Sequence, residues 1–305
     1  MNKAIFLFAL IIPALAVSAA YCAGQGGLDI AALQAGVGAR PLGMGGAFVS
    51  VADNADAGYW NPAGLSGVTS HEITTMQTKL STDVDHYYVS YATKLFKGTI
   101  GISWIQISLG NISRTTTTDA FNEVITTSIF SYFSNAYLFS YGLPINPNVA
   151  IGLTAKYLAS DMVDVAQGQA YGYSVTPGIL IKPKEKISIG AKLDELLNEQ
   201  KWGTGTIEKV PPKARLGISF SDLFQKDSRV ALDVSQVLKS THSTEYALGY
   251  EMNFKNILLR AGIVDSGLTA GAGFASGIAA LDYAYVQQSS LSRNNVHRIS
   301  LSGKW

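Results

Sequence analysis

Apolar and polar residues alternate one by one along most of this chain. In the segment 245–254, one set of alternate positions holds Tyr, Leu, Tyr, Met and Phe, and the other holds Glu, Ala, Gly, Glu and Asn. Successive side chains of a β-strand point to opposite faces, so this pattern predicts a strand with one apolar and one polar face. Similar segments recur about fourteen times, an even number within the range of bacterial β-barrels.

The chain has no long apolar run beyond its first 20 residues, whereas a membrane-spanning helix needs about 20 apolar residues in succession. Strands can cross a membrane without such a run, because alternation hides their apolar face in the sequence. The predicted fold is therefore all-β: a transmembrane antiparallel β-barrel of about 14 strands in residues 71–305. It is preceded, in residues 24–70, by a short N-terminal plug or periplasmic segment that contains a small helix.

A soluble β-sandwich also has alternating strands and is the main alternative. The segments here are longer than the roughly five or six residues typical of strands, their polar positions mix charged residues with Gly and Ala, and tyrosines cluster near their ends. Tyrosines in such positions match the aromatic girdles of membrane barrels. The barrel interpretation turns the charged residues towards the lumen, where opposite signs can pair: Lys156, Lys192, Arg215, Asp233, Glu251, Arg260, Asp282, Arg298 and Lys304.

The first 23 residues are expected to be a secretory signal peptide, since Lys3 precedes a short apolar stretch and then small residues. Cleavage is expected after Ala20, or alternatively after Ala23. Cys22 raises the alternative of a lipid anchor, but the preceding Tyr21 is larger than the residue that normally precedes a lipid-modified cysteine.

The other end of the chain alternates up to a terminal aromatic residue. Leu301 and Trp305 resemble the C-terminal signal that the barrel-insertion machinery reads.

Composition excludes several classes of function. The formal net charge is +1, which gives no reason to expect a nucleic-acid partner. No cysteine follows Cys22, and the four histidines, His71, His86, His242 and His297, lack metal-ligand spacing and are expected at the rim or the membrane interface. No serine lies in a nucleophile elbow. We therefore expect no enzyme activity, catalytic residue, metal site or cofactor.

Residues 28–66 do not alternate and carry the most specific motif. They include Gly-Ala-Arg-Pro-Leu-Gly-Met-Gly-Gly-Ala-Phe-Val, then Val-Ala-Asp-Asn-Ala, then Tyr-Trp-Asn-Pro-Ala-Gly-Leu. This block resembles the N-terminal block of the PorV-like outer-membrane barrels, within the superfamily of FadL-type fatty-acid transporters. The resemblance implies a plug in which Arg40, Gly43, Gly45, Gly46, Asp53, Asn61 and Pro62 are the motif residues.

The residues of this block also suit a packed segment. Glycines allow close backbone approach, and Pro41 could begin a helix with apolar residues at Met44, Ala47, Phe48 and Val51, ended by Asp53 and Asn54. Phe48, Tyr59 and Trp60 are candidate apolar contacts for a ligand.

The resemblance implies uptake of small hydrophobic molecules across the bacterial outer membrane. The alternative it implies is a PorV-like companion of protein secretion that binds secreted proteins at the cell surface. Outer-membrane lipid and the insertion machinery are expected partners in both cases. A continuous apolar cavity through plug, lumen and rim would favour transport.

Overall fold

The computed structural model of this protein describes residues 30–118, 124–238, 244–264, 267–287 and 295–305. The predicted signal peptide, with both cleavage sites and Cys22, lies outside the described residues, and so do His242 and the first residues of the predicted plug segment.

Strands make up most of the described residues. Their bounds are β1 Glu72–Ser81, β2 Val84–Leu95, β3 Gly98–Thr118, β4 Val124–Asn146, β5 Val149–Val163, β6 Gln169–Lys184, β7 Ile187–Asp194, β8 Leu197–Trp202, β9 Ile207–Glu208, β10 Lys213–Ser221, β11 Ser228–Val237, β12 Glu245–Phe254, β13 Ile257–Val264, β14 Gly267–Ser276, β15 Ala279–Val286 and β16 Val296–Lys304.

Fourteen of these strands, β1–β7 and β10–β16, form a closed antiparallel barrel, which confirms the predicted fold class. Strand β1 closes the ring by pairing with β16, with Thr78 opposite Arg298. A closed ring has no free strand edge, which is what a backbone needs in hydrocarbon, where no water can satisfy it. The other two strands form a small hairpin: after a break at Glu195, β8 follows the part of β6 that β7 does not reach, and β9 pairs with β8.

The two ends of the barrel differ in their connections. At the end where β1 begins and β16 ends, strands are joined by turns of two to six residues, and we call it the turn end. The opposite end, the loop end, carries the β8–β9 hairpin and the longest connections. Strands β3 and β4 have 21 and 23 residues and extend past the others at the loop end. Much of the segment 108–133, where the Thr-rich sequence predicts one of the longest loops, is therefore a continuation of this strand pair.

The two faces of the barrel follow the alternation in the sequence. On β12, Tyr246, Leu248 and Phe254 are exposed on the outer face, whereas Glu251 points into the lumen and is 7% exposed. Of the nine charged residues predicted to face the lumen, seven are buried; the Arg215 side chain is 23% exposed, and that of Lys304, at the turn end, is 60% exposed and pairs with Glu72.

The segment before β1 folds into the lumen as a plug of short elements. These are helices α1 Ala31–Gln34, α2 Ala39–Gly43 and α3 Ala57–Trp60, followed by a 3-10 helix, Pro62–Gly67. The expected helix through Met44, Ala47 and Val51 is wrong in its extent. Pro41 lies inside α2, and Gly45 and Gly46 adopt φ values of 67° and 77°, which end a right-handed helix.

The main apolar core lies between plug and barrel wall. Plug residues such as Val37, Phe48 and Leu65 pack there against Tyr88, Ile105 and other inward residues of the strands. No helix in the described part of the chain has the length and apolarity needed to cross a membrane.

Candidate functional site: the plug and the lumen

Glycine lines the inner wall where the plug touches it. A Cβ atom at Gly152 would lie 2.2 Å from the carbonyl carbon of Pro62, and one at Gly249 would lie 2.5 Å from the carbonyl oxygen of Met44. Backbone atoms cannot rotate aside as a flexible side chain can, so these positions exclude any side chain. We call the set of inward glycines that face the plug the glycine belt: Gly142, Gly152, Gly178, Gly190, Gly217, Gly249, Gly262 and Gly271.

The plug contributes glycines to the same contacts. A Cβ at Gly43 would lie 3.1 Å from the Cα of Gly271, and one at Gly45 would lie 2.9 Å from the carbonyl oxygen of Ile263. Two of the predicted motif glycines thus bring plug backbone against strands β13 and β14. The third, Gly46, lies against the Trp60 ring.

Arg40 connects the plug to the barrel through charge. Its Nη1 atom lies 2.6 Å from Oδ1 of Asp53, and its Nε and Nη2 atoms donate to the two carboxylate oxygens of Glu251, each at 2.8 Å. This bidentate geometry is the strong form of an arginine–carboxylate pair. Two predicted motif residues, Arg40 and Asp53, are therefore direct partners.

The pairing extends on both sides of Arg40. Asp53 also accepts from Arg229 of β11 at 2.9 Å. Glu251 also accepts from Arg260 of β13 at 2.8 Å, and Arg260 donates to Asp282 of β15 at 2.6 Å. The signs alternate along this ion-pair ladder, which consists of Arg229, Asp53, Arg40, Glu251, Arg260 and Asp282 and carries no formal net charge.

The plug carboxylates Asp53 and Asp56 differ in their surroundings. Burial favours the neutral form of Asp53, but Arg40 and Arg229 outweigh burial and hold its pKa at about 2. Asp56 has no ion pair with any described residue and accepts from Tyr88 Oη at 3.1 Å and Asn54 Nδ2 at 3.0 Å, and burial raises its pKa to about 6. Asp53 is thus an ionised partner in the ladder, whereas Asp56 is a buried acceptor.

Asn61 joins the last turn of the plug to the wall. Its Nδ2 donates to the carbonyl oxygen of Val49 at 2.8 Å and to that of Ile179 on β6 at 3.1 Å, and its Oδ1 accepts from the Ala63 amide at 3.2 Å. The following Pro62 begins the 3-10 helix and packs against Gly152. The Asn-Pro-Ala motif therefore fixes the plug to β5 and β6.

Replacing Asn61 with Asp should release this turn. The variant keeps the shape of the side chain but turns two donated hydrogen bonds into repulsion between a carboxylate and two carbonyl oxygens. Each unsatisfied buried carbonyl costs about 1–3 kcal/mol, so we expect the plug to become accessible to protease within the intact barrel. Limited proteolysis followed by mass spectrometry measures this. Asn148→Asp, in an exposed turn, is the matched control; equal cleavage of both variants would contradict the role of Asn61.

Cavities lie on both sides of the plug. Towards the loop end, a cavity of about 320 Å³, the upper cavity, is bordered by Leu42, Tyr59 and Trp60 of the plug and by inward residues of β10–β16. A second, of about 240 Å³, lies between α1 and the β8–β9 hairpin. Towards the turn end, a cavity of about 400 Å³ borders the ladder. The plug borders the cavities at both ends: Tyr59 and Trp60 line the upper cavity, and Arg40 and Asp53 line the turn-end cavity. Plug residues such as Met44 and Phe48 are fully buried in the core between plug and wall, so the plug fills the lumen there.

The predicted apolar contacts occupy two different environments. Tyr59 and Trp60 line the upper cavity. Phe48 is fully buried within the plug, where its ring lies 6.0 Å from the Trp60 ring and 5.2 Å from the Arg40 guanidinium carbon. The structure therefore places Phe48 in the plug core, behind the two residues that face the cavity.

The residues of the predicted insertion signal lie at the turn end. Leu301 is exposed on the outer face of β16. Trp305 stacks on His71 with ring centroids 5.7 Å apart, and their backbone amides and carbonyls exchange two hydrogen bonds. His86 departs from the expected rim or interface position, because it points into the lumen and is fully buried.

Sequence reasoning missed the glycine belt and the ladder partner Arg229. The belt left a signal: one or two glycines recur on the polar face of most strands. Glu251, the wall residue that pairs with Arg40, is predicted to face the lumen, but nothing in the local sequence pattern links it to the plug.

Comparisons with known proteins agree with the architecture. No family model matches the chain, and no curated protein matches it. Among solved structures, it is similar to the CymD monoaromatic hydrocarbon channel, with 14% identity, a TM-score of 0.65 and coverage of 88% of this chain and 98% of that one. It is also similar to the toluene transporter TodX of P. putida, with 14% identity, a TM-score of 0.64 and coverage of 88% of this chain and 99% of that one. For a FadL homologue from Pseudomonas aeruginosa, the identity is 9%, the TM-score is 0.58, and the coverage is 88% of this chain and 98% of that one. These likenesses establish the fold.

Proposed function

We propose that this chain is a FadL-type channel of the bacterial outer membrane, through which small hydrophobic molecules are taken up. The observation that carries the proposal is the upper cavity, which ends on the Tyr59 and Trp60 rings of a plug that closes the lumen. Its volume of about 320 Å³ is at the low end for ligand pockets and suits a molecule with one ring. The fold shared with channels described as carrying monoaromatic hydrocarbons supports the same conclusion.

Because the plug closes the lumen, a ligand can pass through the barrel only if the plug moves. A ligand that enters at the loop end reaches the aromatic floor of the upper cavity but meets the plug, which fills the lumen with fully buried residues such as Met44 and Phe48. Passage therefore requires the plug to shift. Short turn-end connections and long loop-end connections match the periplasmic and extracellular ends of bacterial barrels, so the direction of this path is inward.

Filling the upper cavity should abolish uptake while leaving the plug in place. Ala35 follows α1, lines the cavity and is partly exposed, so phenylalanine there takes up ligand space without removing a plug contact. In a bacterial strain that lacks other hydrocarbon channels, cells with the wild-type protein should accumulate radiolabelled toluene. Cells with Ala35→Phe should accumulate about tenfold less, equivalent to about 1.4 kcal/mol of lost binding.

The matched control is Ala155→Phe, which adds the same ring on the outer face of β5. Equal uptake by wild type, Ala35→Phe and a strain without the protein would refute transport through this cavity.

A second candidate is a PorV-like companion of protein secretion. One observation favours it: strands β3 and β4 project from the loop end as a two-stranded arm, with Ile125 and Ile129 exposed. Purification from the native membrane in mild detergent separates the two functions. A stoichiometric protein partner that is lost with Ile125→Ser and Ile129→Ser, without toluene uptake, would favour the companion.

A further inference from the structure

Arg298 is a buried cation that has no carboxylate partner among the residues the structure describes. It projects from β16 into the lumen, borders the upper cavity and is 4% exposed. Its Nη1 donates to the carbonyl oxygen of Gly36 in a long bond of 3.4 Å, and no described residue is a hydrogen-bond partner of its Nε. Within the described part of the chain, no carboxylate oxygen lies within 4.0 Å of its guanidinium.

The other charged residues around the upper cavity have partners. Lys213 pairs with Glu245 at 2.5 Å, and Arg215 pairs with Asp194 at 2.8 Å. Oδ2 of Asp233 accepts from the amides of Phe48 and Val49, both at 2.8 Å, whereas its buried Oδ1 has no hydrogen-bond partner among the described residues. Arg298 is thus the cation of this cavity whose charge the described residues do not compensate.

The neighbours of Arg298 on the wall do not compensate it either. Thr78 lies opposite Arg298 in the register of β1 and β16, and His86 lies opposite Thr78 in that of β1 and β2. Both are buried, and in the described part of the chain neither the Thr78 hydroxyl nor the two His86 ring nitrogens have a hydrogen-bond partner. Since neither group carries negative charge, this row adds polar atoms without balancing the guanidinium.

Burying an unpaired guanidinium is costly, because it loses hydration without gaining an opposite charge. An ionisable residue at membrane depth is therefore a candidate functional site, and its partner has to be identified. A guanidinium matches a carboxylate through two parallel hydrogen bonds. The aromatic rings of Tyr59 and Trp60 border the same cavity as Arg298 and offer an apolar surface for the rest of a ligand.

Building on the proposed function, we propose that the upper cavity takes small aromatic carboxylates and that Arg298 binds their carboxylate group. The ring rests against the plug aromatics, and the carboxylate supplies the charge that the wall lacks. The specificity is then for a one-ring acid over the neutral hydrocarbon of the same size.

Benzoate and toluene test this assignment, because they share a ring and differ in a carboxylate against a methyl group. Binding to the purified barrel in detergent is measured by titration calorimetry. Wild type should bind benzoate about 10- to 100-fold more tightly than toluene, as expected for a charge-assisted hydrogen-bonded pair of about 1.5–3 kcal/mol. Arg298→Gln should lose that advantage while its toluene affinity stays within twofold. Arg298→Lys, which keeps the charge but not the two-pronged geometry, should be intermediate.

Arg215→Gln is the matched control, since it removes another arginine of the same cavity that already pairs with Asp194. It should retain the preference for benzoate. The heat-dependent mobility of each variant in gel electrophoresis verifies that the barrel is folded. If Arg298→Gln fails to fold, the benzoate preference of Arg298→Lys still tests the role of Arg298.

Two results would overturn the inference and leave the proposed function standing. One is toluene binding to wild type as tightly as benzoate, and the other is an equal loss of both ligands in Arg298→Gln, which would show that Arg298 only holds the plug through Gly36. Failure of wild type to bind or take up either compound would overturn the proposed function as well.

Discussion

Replacing Gly152 with valine is expected to force the plug out of its seat and convert a closed barrel into a conducting one. A Cβ at Gly152 would lie 2.2 Å from the carbonyl carbon of Pro62 and 2.3 Å from the amide nitrogen of Ala63. Both are backbone atoms of the plug, so no rotamer change relieves the overlap. Overpacking costs typically 1–3 kcal/mol even where side chains adjust, and we expect about 3 kcal/mol or more here.

The measurement is ion conductance in planar lipid bilayers. Wild type should be silent or nearly so, because the plug fills the lumen between the cavities at the two ends. Gly152→Val should show long-lived open channels. Gly110→Val is the matched control, since a Cβ at Gly110 on the long strand β3 meets nothing within 4 Å. Equal conductance of the two variants would show that the glycine belt does not seat the plug.

The barrel itself was predictable from the sequence because its determinant is local. Side-chain direction alternates with every residue, so the apolar face of a strand such as β12 can be read from ten residues without knowing its neighbours. The same reasoning places Glu251 and Arg260 in the lumen. Alternation predicts which face of the sheet a side chain lies on, but not how far along the barrel axis the side chain lies or which residue it contacts.

The contacts between plug and wall could not be predicted because they depend on long-range register. Arg40 and Glu251 are 211 residues apart in sequence, and Asn61 and Ile179 are 118 apart. A shift of two residues in one strand would keep every side chain on its face and still separate these pairs. Glycines such as Gly152 do indicate where the plug touches the wall, since a glycine on the inner face of a strand indicates close backbone approach.

Two predictions made from local sequence patterns were wrong because tertiary contacts determine the structure of those segments. The helical spacing of Met44, Ala47 and Val51 predicts one continuous helix, but Gly45 and Gly46 take positive φ values so that the plug can turn against β13. The Thr-rich segment 108–133 is predicted to be one of the longest loops. It is mostly strand, which suits the preference of threonine for extended structure.

Removing the Arg40 side chain should release the plug while leaving the barrel folded. Arg40→Ala separates the two halves of the ladder: Asp53 keeps Arg229, and Glu251 keeps Arg260. Breaking a buried ion pair on one side typically costs about 3–5 kcal/mol, and the remaining partners keep the expected loss of plug binding near 3 kcal/mol. The contact of Arg40 with the Phe48 ring is lost too, which loosens the plug core.

The barrel does not share this loss, because each of its strands is hydrogen-bonded to two neighbours without help from the plug. We therefore expect Arg40→Ala to raise conductance and protease cleavage between α2 and the 3-10 helix, with the barrel's heat-dependent gel mobility unchanged. Lys79→Ala is the control: its ion pair with Asp85 is 3.5 Å long and exposed, and such pairs contribute about 0–1 kcal/mol.

A double-mutant cycle between Arg40→Ala and Glu251→Gln separates the ion pair from a general loss of packing. The two single variants should each open the channel, and the double variant should add little, because each single change already removes the shared contact. Additive effects, or a closed channel in Arg40→Ala, would mean that the glycine belt alone seats the plug. The ladder would then be a consequence of its position, and movement of the plug during uptake would be limited by backbone packing and not by charge.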